Sequence, residues 1–436
     1  MHLVEAGGKR VLLDAGLFQG LKSLRLRNRA QRVDAPRHID AVVLSHAHID
    51  HSGYLPLLVR EGFRGPIYCT SATAELLGIM LRDAARLQEE EADRANRHRY
   101  AKHQPALPLY ALADVEATLQ LLDGRRFGKP FDVTPNVTAL FRPAGHILGA
   151  ATIELDLDAA APRRLVYSGD LGRWDRPILP DPELVPEADA LLLESTYGDR
   201  VHPANGEEEL ARIVRDAVKR GGVILVPAFA VGRTQELLWL LAHLADAGRI
   251  PSLPVYLDSP MAMKVNEVYA GHAAELDSDG GLPGRKQVHV TVTPEESKAL
   301  NRLPGPVIIV SASGMATGGR ILHHLSLRLS DPRTTVLLVG FQAAGTRGRA
   351  LQDGAREVRI FGRDVPVRAA VERLDALSAH ADRAELLRWL EGFTRPPRQT
   401  YLVHGEPAGA AVLAAAIAKR FGWEVRAAVD AEIVEV

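Results

Sequence analysis

Ser45-His46-Ala47-His48-Ile49-Asp50-His51 is the stretch that decides the fold; it follows the apolar run Asp40–Leu44 and precedes the helix-like segment 52–63. Side chains on an extended strand end alternate with period two, so His46 and His48 are expected to point the same way. The chain then turns, which brings Asp50 and His51 to a neighbouring point. Imidazoles and a carboxylate without thiolates suit a catalytic zinc site that keeps positions open for water. Cys69 is the sole cysteine. Intramolecular disulfides are therefore excluded, and any metal site must be built from histidine and carboxylates.

One loop cannot complete two metal ions, so further ligands must come from elsewhere. His146 lies in Pro143-Ala144-Gly145-His146, Asp170 in Tyr167-Ser168-Gly169-Asp170-Leu171-Gly172, and His404 in Tyr401-Leu402-Val403-His404-Gly405. Each taken singly has a plain alternative, a capping aspartate or a loop histidine. Their shared placement at the ends of apolar runs, beside glycines that let backbones approach, is what a convergent site requires.

The chain has 436 residues, enough for two or three domains, of which 46% are hydrophobic and 25% charged. No signal-like start and no apolar run of roughly 18 residues is present, so a cytoplasmic protein without a membrane segment is expected. A net charge of −1 excludes a generally basic nucleic-acid binder and leaves polyanion contacts to local patches. Two basic runs qualify, Lys22, Arg25, Arg27, Arg29 and Arg32, and Arg94, Arg97, His98, Arg99, Lys102 and His103. Such runs are more often solvated helix faces.

Strand-like and helix-like segments alternate throughout, which indicates an α/β protein. Strands are expected at 10–14, 40–45, 66–69, 137–141, 151–157 and 163–168, with helices at 72–103 and 108–122. From about residue 205 the texture becomes strand–Gly-rich loop–helix, repeated at 221–244, 306–325 and 334–351, and this predicts a parallel, Rossmann-like sheet. Boundaries are placed near 200 and 365. The Gly-rich loops 230–234 and 313–320 lack the Gly-Lys-Ser/Thr of a P-loop, which argues against an ATPase. They can still offer backbone N–H groups to phosphates, with Arg233, Ser313, Gly314, Arg320 and Ser378 as weak candidate contacts and Arg347 nearby. His323 and His324 fall inside a helix and read as packing residues.

His-x-His-x-Asp-His with a later single His and a single Asp resembles the metallo-β-lactamase superfamily. The resemblance implies an αββα sandwich and two zinc ions. His46, His48 and His146 would bind one ion, Asp50, His51 and His404 the other, and Asp170 would bridge. Asp14, in Val11-Leu12-Leu13-Asp14-Ala15-Gly16, matches the early strand-end aspartate that supports such sites from behind the ligands. Glu194 in Glu194-Ser195-Thr196-Tyr197-Gly198, His380 in Ser378-Ala379-His380-Ala381-Asp382, and His404 frame an inserted region. That arrangement is similar to the β-CASP nucleases, which include ribonuclease J and the cleavage subunit of the polyadenylation machinery. The domains implied are 1–199 and 366–436 for the two parts of the metallo-β-lactamase domain and 200–365 for a Rossmann-like β-CASP insertion. Members acting on RNA carry histidine at the position of His404, whereas DNA-acting relatives resembling Artemis usually carry valine.

The expected activity is thus a zinc-dependent ribonuclease acting on single-stranded RNA, endonucleolytic, 5′-exonucleolytic or both, with oligomeric state left open. Asp50 or Asp170 would take the water's proton, and His380, partnered by Glu194, would serve as general acid. Asp382 and Glu385 have the spacing of a capping box after His380. Two alternatives stand beside this reading: a small-molecule hydrolase of the same fold and a catalytically silent RNA-binding scaffold. The family pattern also has a strand and a Thr-Gly-Ser turn ahead of the segment matching Met1–Glu5, which this sequence does not contain; otherwise it resembles the compact bacterial form.

Overall fold

A computed structural model describes residues 1–30, 33, 35–99, 103–158, 163–203, 205–277 and 288–436. Arg32 and Lys102 of the basic runs lie outside the described residues. The chain divides into two compact units: Met1–Gln19, Ser23–Val201 and His380–Val436 form one, Gly20–Lys22 and His202–Ala379 the other. The division between the compact units falls after residue 379, so the segment 366–379 goes with the second unit. The reason is that the strand Ala370–Leu374 pairs in parallel with Thr335–Val339 and extends the sheet of the second unit.

In the first unit, a five-stranded sheet runs in the order His2–Ala6, Lys9–Leu13, Ala41–Val43, Ile67–Thr70, Leu122–Arg125. A seven-stranded sheet runs Val425–Ala427, Gln399–Val403, Ala190–Glu194, Arg163–Tyr167, Ala151–Leu157, Val137–Pro143, Phe131–Thr134. Val11, Leu13, Ala41 and Val43 of the first sheet share one buried cluster with Phe141, Ile153, Leu155 and Tyr167 of the second. The alternate residues Leu12 and Val42 are buried too, so these central strands are covered on both faces and read as unbroken apolar runs. The helix expected at 72–103 spans Ser71–His98 and is opened by Thr70, whose hydroxyl accepts from Thr73 N. The helix expected from 108 begins only at Leu112, because Asp114 accepts from Ala111 N and fixes the start there. No helix among the described residues is long and apolar enough to cross a membrane.

The second unit holds a six-stranded sheet in the order Val288–Val290, Val255–Asp258, Val307–Ser311, Val223–Pro227, Thr335–Val339, Ala370–Leu374, all neighbours parallel. Strand alternation deals its side chains to two cores. Ile224, Val226, Ile308 and Val310 face one set of helices, while Val223, Leu225, Val307 and Ile309 face the other. At the end of the strand Val255–Asp258, the fully buried Asp258 carboxylate accepts from Ser297 Oγ at 2.7 Å, Thr291 Oγ1 at 2.5 Å, Arg320 Nη1 at 2.8 Å and His324 Nε2 at 2.7 Å. His324 is therefore buried as a hydrogen-bonded partner rather than as a packing residue. His323 is exposed and packs its ring on Phe361 at 4.6 Å.

Burial alone would raise the pKa of Asp258, but His324, Thr291, Ser297 and Arg320 outweigh it and hold the group at about 2, below its ordinary 3.8. A depressed carboxylate pKa contributes stability that is present above the unfolded value and lost as pH falls through the folded one. Asp258→Asn is expected to cost about 3–5 kcal/mol at neutral pH, because the donors of Arg320, His324, Thr291 and Ser297 would lose the carboxylate they converge on. The gap between variant and wild type should narrow below about pH 4 and close near pH 2, which unfolding curves at several pH values would check.

Candidate metal centre

The site of the first unit assembles where strands of both sheets end. After Ala41–Val43 the chain leaves the sheet, and His46 and His48 lie in the connection rather than on the strand itself. Asp50 and His51 then sit in the single-turn helix Ile49–Ser52, and His48 is the residue before it. His146 follows Val137–Pro143, Asp170 follows Arg163–Tyr167, Glu194 closes Ala190–Glu194, and His404 follows Gln399–Val403. Two glycines make the close approaches feasible. A Cβ on Gly16 would lie 1.4 Å from Asp50 O, and one on Gly405 would lie 2.3 Å from Ser195 Oγ.

Asp14, buried and at a positive φ of 55°, is the anchor beneath this site. Its carboxylate accepts from Ser45 N at 2.7 Å, Ser45 Oγ at 2.7 Å, Tyr167 OH at 2.8 Å and His51 Nδ1 at 2.6 Å. The proton on His51 Nδ1 leaves the Nε2 lone pair for the site. Since the Ser45 hydroxyl donates to Asp14, it can only accept from His46 Nδ1 at 3.0 Å, and His46 likewise turns Nε2 inward.

Donor atoms then converge in two groups. His46 Nε2 and His146 Nε2 stand 3.1 and 3.2 Å from His48 Nδ1, and 3.6 and 3.7 Å from Asp170 Oδ2. His51 Nε2 stands 3.2 Å from His404 Nε2 and 3.3 Å from Asp170 Oδ1, and His404 Nε2 is 3.8 Å from Asp50 Oδ2. The edges of a tetrahedron about a zinc ion with bonds of about 2.0–2.1 Å measure about 3.3–3.4 Å. Both groups match that spacing. Asp170 Oδ1 is moreover a buried oxygen without a well-formed hydrogen bond, although His404 Nδ1 is only 3.1 Å away. Ring nitrogens and carboxylate oxygens packed at these distances fit a cation.

The electrostatics agree. Burial works against charge on His51, yet the carboxylates of Asp170 and Asp14 outweigh it and push that imidazole up to about 10. Burial also opposes ionisation of Asp170, but His404, His51 and His380 hold it well below the usual carboxylate range. His46 goes the other way, driven down by burial and by the charge on His51. His404 is likewise pushed up, Asp170 and Asp50 outweighing burial, so the pocket favours positive charge between its carboxylates.

Glu194 and His380 stand beside Asp170. Glu194 is fully buried and accepts from Leu171 N at 2.5 Å, and its two oxygens lie 3.4 and 3.3 Å from His380 Nδ1. Ala381 N donates to Leu171 O at 2.8 Å, which ties the His380 segment to the Asp170 loop. The capping box at Asp382 and Glu385 is present, each accepting from the other's backbone N–H at 2.9 Å.

In the second unit, the weak phosphate candidates have local partners. Arg320 donates to Asp258 and to the carbonyls of Thr291 and Val292, Arg233 pairs with Glu236 at 2.7 Å, and Ser313 Oγ is 3.0 Å from Thr317 Oγ1. Gly314 is buried against Phe229, and Ser378 N closes a turn onto Asp375 O. Arg320 in particular ties its own loop to the end of the strand Val255–Asp258.

The fold and this donor set define a metallo-hydrolase of the metallo-β-lactamase type. Residues 9–220 match the β-lactamase superfamily domain, 234–351 the β-CASP domain, and 364–428 a Zn-dependent metallo-hydrolase RNA specificity domain. The chain is 41% identical to a ribonuclease of Thermus thermophilus over 100% of its own length and 96% of that protein. It is 31% identical to an RNase J-like protein of Methanocaldococcus jannaschii, covering 92% and 88% of the two chains. Against the transcription termination factor FttA of Methanosarcina mazei it is 30% identical, over 100% of this chain and 69% of that one. The chain belongs to the β-CASP family of metallo-β-lactamase-fold hydrolases.

Sequence reasoning passed over Tyr167 and Thr196 as individuals, because their partners lie 153 and 208 positions away. Asp14→Asn would replace an all-acceptor carboxylate by an amide facing four donors. It is expected to weaken zinc binding by about 10- to 100-fold without unfolding the chain, as read by competition with a chromogenic chelator.

Proposed function

We propose that the chain hydrolyses phosphodiester bonds of single-stranded RNA at a centre of two zinc ions. His46, His48 and His146 would hold one ion, Asp50, His51 and His404 the other, with Asp170 between them. The observation that carries this reading is the spacing of the donor atoms, two groups with edges of 3.1–3.8 Å that share one carboxylate. Bound there, two such ions would lower the pKa of a water, orient the scissile phosphate and offset its developing charge.

The chain's own residues supply the remaining steps. Asp50, with its side chain 38% exposed, and Asp170 are the acceptors available for the water's proton. Glu194, 3.3 Å from His380 Nδ1, accepts from that nitrogen and orients the ring, so that His380 can protonate the departing oxygen. The RNA part of the proposal draws on the relatives named as ribonucleases and on the match to an RNA specificity domain. His404, at a position where DNA-acting relatives usually carry valine, favours the same substrate.

Three outcomes are expected. Elemental analysis of protein purified without chelator should find two zinc ions per chain, and one ion or none after reconstitution would remove the two-metal reading. Single-stranded RNA should be cut much faster than DNA of the same sequence, with binding that weakens as salt rises. A circular RNA separates the modes, since only an endonuclease opens it. His380→Ala should keep both ions while single-turnover cleavage slows by roughly 10²- to 10⁴-fold. Loss of zinc in that variant would make His380 a ligand instead of the acid.

A further inference from the structure

We propose that Thr196 is the positioning residue of the second ion's site, locking the ring tautomer and the backbone of His404. This rests on the reading of His404 as a ligand. Thr196 Oγ1 lies 2.8 Å from the carbonyl oxygen of His404 and 3.1 Å from its Nδ1. The carbonyl has no proton to offer, so the single hydroxyl proton is committed to it. The hydroxyl oxygen can then only accept from Nδ1–H, and the ring lone pair is turned to Nε2. That nitrogen is the one 3.2 Å from His51 Nε2 and 3.8 Å from Asp50 Oδ2. Asp170 Oδ1, 3.1 Å from His404 Nδ1, favours a proton on the same atom.

The backbone needs holding as well. His404 has φ +50°, a left-handed conformation that a histidine adopts at a cost. Gly405 beyond it abuts Ser195, and Ser195 Oγ donates to Val403 O at 2.9 Å. The two neighbouring hydroxyls therefore divide the work. Ser195 fastens the strand end and never touches the ring, whereas Thr196 reaches both the backbone and the ring of the ligand.

The division supplies the test. Thr196→Val, Thr196→Ser, Ser195→Ala and His404→Ala are compared with wild type in the full chain, by zinc competition against a chromogenic chelator and by thermal melting. Thr196→Val should hold the first zinc equivalent as wild type does and bind the second about 10- to 100-fold more weakly. Thr196→Ser, which restores the hydroxyl, should recover the second, and Ser195→Ala should leave both in place. Wild-type affinity for both ions in Thr196→Val overturns the proposal. So does an equal loss in Ser195→Ala, which would mean general loosening of the strand end. If Thr196→Val melts early, Thr196→Ser decides, and failure to hold the second ion there overturns it too. His404→Ala separates this proposal from the one it rests on. Both ions retained in that variant would remove His404 from the ligand set, whereas loss of the second ion there but not in Thr196→Val would refute the role of Thr196 alone.

Discussion

The carboxylate of Asp14 gathers four donors from three separate segments, Ser45 twice, His51 and Tyr167, and the geometry of the candidate site follows from that arrangement. An ionised carboxylate buried without partners would be very costly, so its surroundings are obliged to supply donors. Once they do, His51 has its proton on Nδ1 and presents Nε2, and Ser45 passes the same constraint on to His46. One buried charge therefore fixes the tautomer of two ring systems. It also links the end of the strand Lys9–Leu13 to the connection after Ala41–Val43 and to the strand Arg163–Tyr167 of the other sheet.

The two sheets make that arrangement rigid. Their apolar inner faces form one core, and the functional residues leave it only where strands stop and the backbone turns. Close packing at those ends excludes side chains at Gly16 and Gly405, so substitution there would separate segments that must touch. Hydroxyls complete the frame. Ser45, Thr196 and Tyr167 are neither acids nor bases in the proposed chemistry, yet each determines where a proton sits or where a charge points.

The second unit shows the same economy with a different result. Asp258 is buried at a strand end and saturated with donors, but its partners are Ser297, Thr291, Arg320 and His324, and among the described residues no second cluster of ligands stands beside it. A buried carboxylate with four donors is a fastening. It supports a ligand site when one donor is an imidazole whose second nitrogen is turned to other ligand atoms, as with His51, whereas the second nitrogen of His324 meets Asn301. Arg320, a candidate phosphate contact from its place in a Gly-rich loop, gives three of its hydrogen bonds to this fastening.

The α/β class, the parallel sheet of the second unit and the histidines and aspartates that the structure gathers into the candidate site were legible in the sequence by itself. These depend on local pattern: apolar runs of strand length, Gly-rich turns into helices, and His-x-His-x-Asp-His after a strand. Starts of helices were less legible, as at Leu112, where a carboxylate three residues inside the helix sets the beginning. That Ala370–Leu374 joins the sheet of the second unit was not legible, because its pairing with Thr335–Val339 is a tertiary contact. The tautomers, and with them the work of Tyr167 and Thr196, were decided by tertiary structure alone. A side-chain hydrogen bond across 153 or 208 residues leaves no periodicity or spacing in the chain; only the packing of strand ends brings the hydroxyl to the ring.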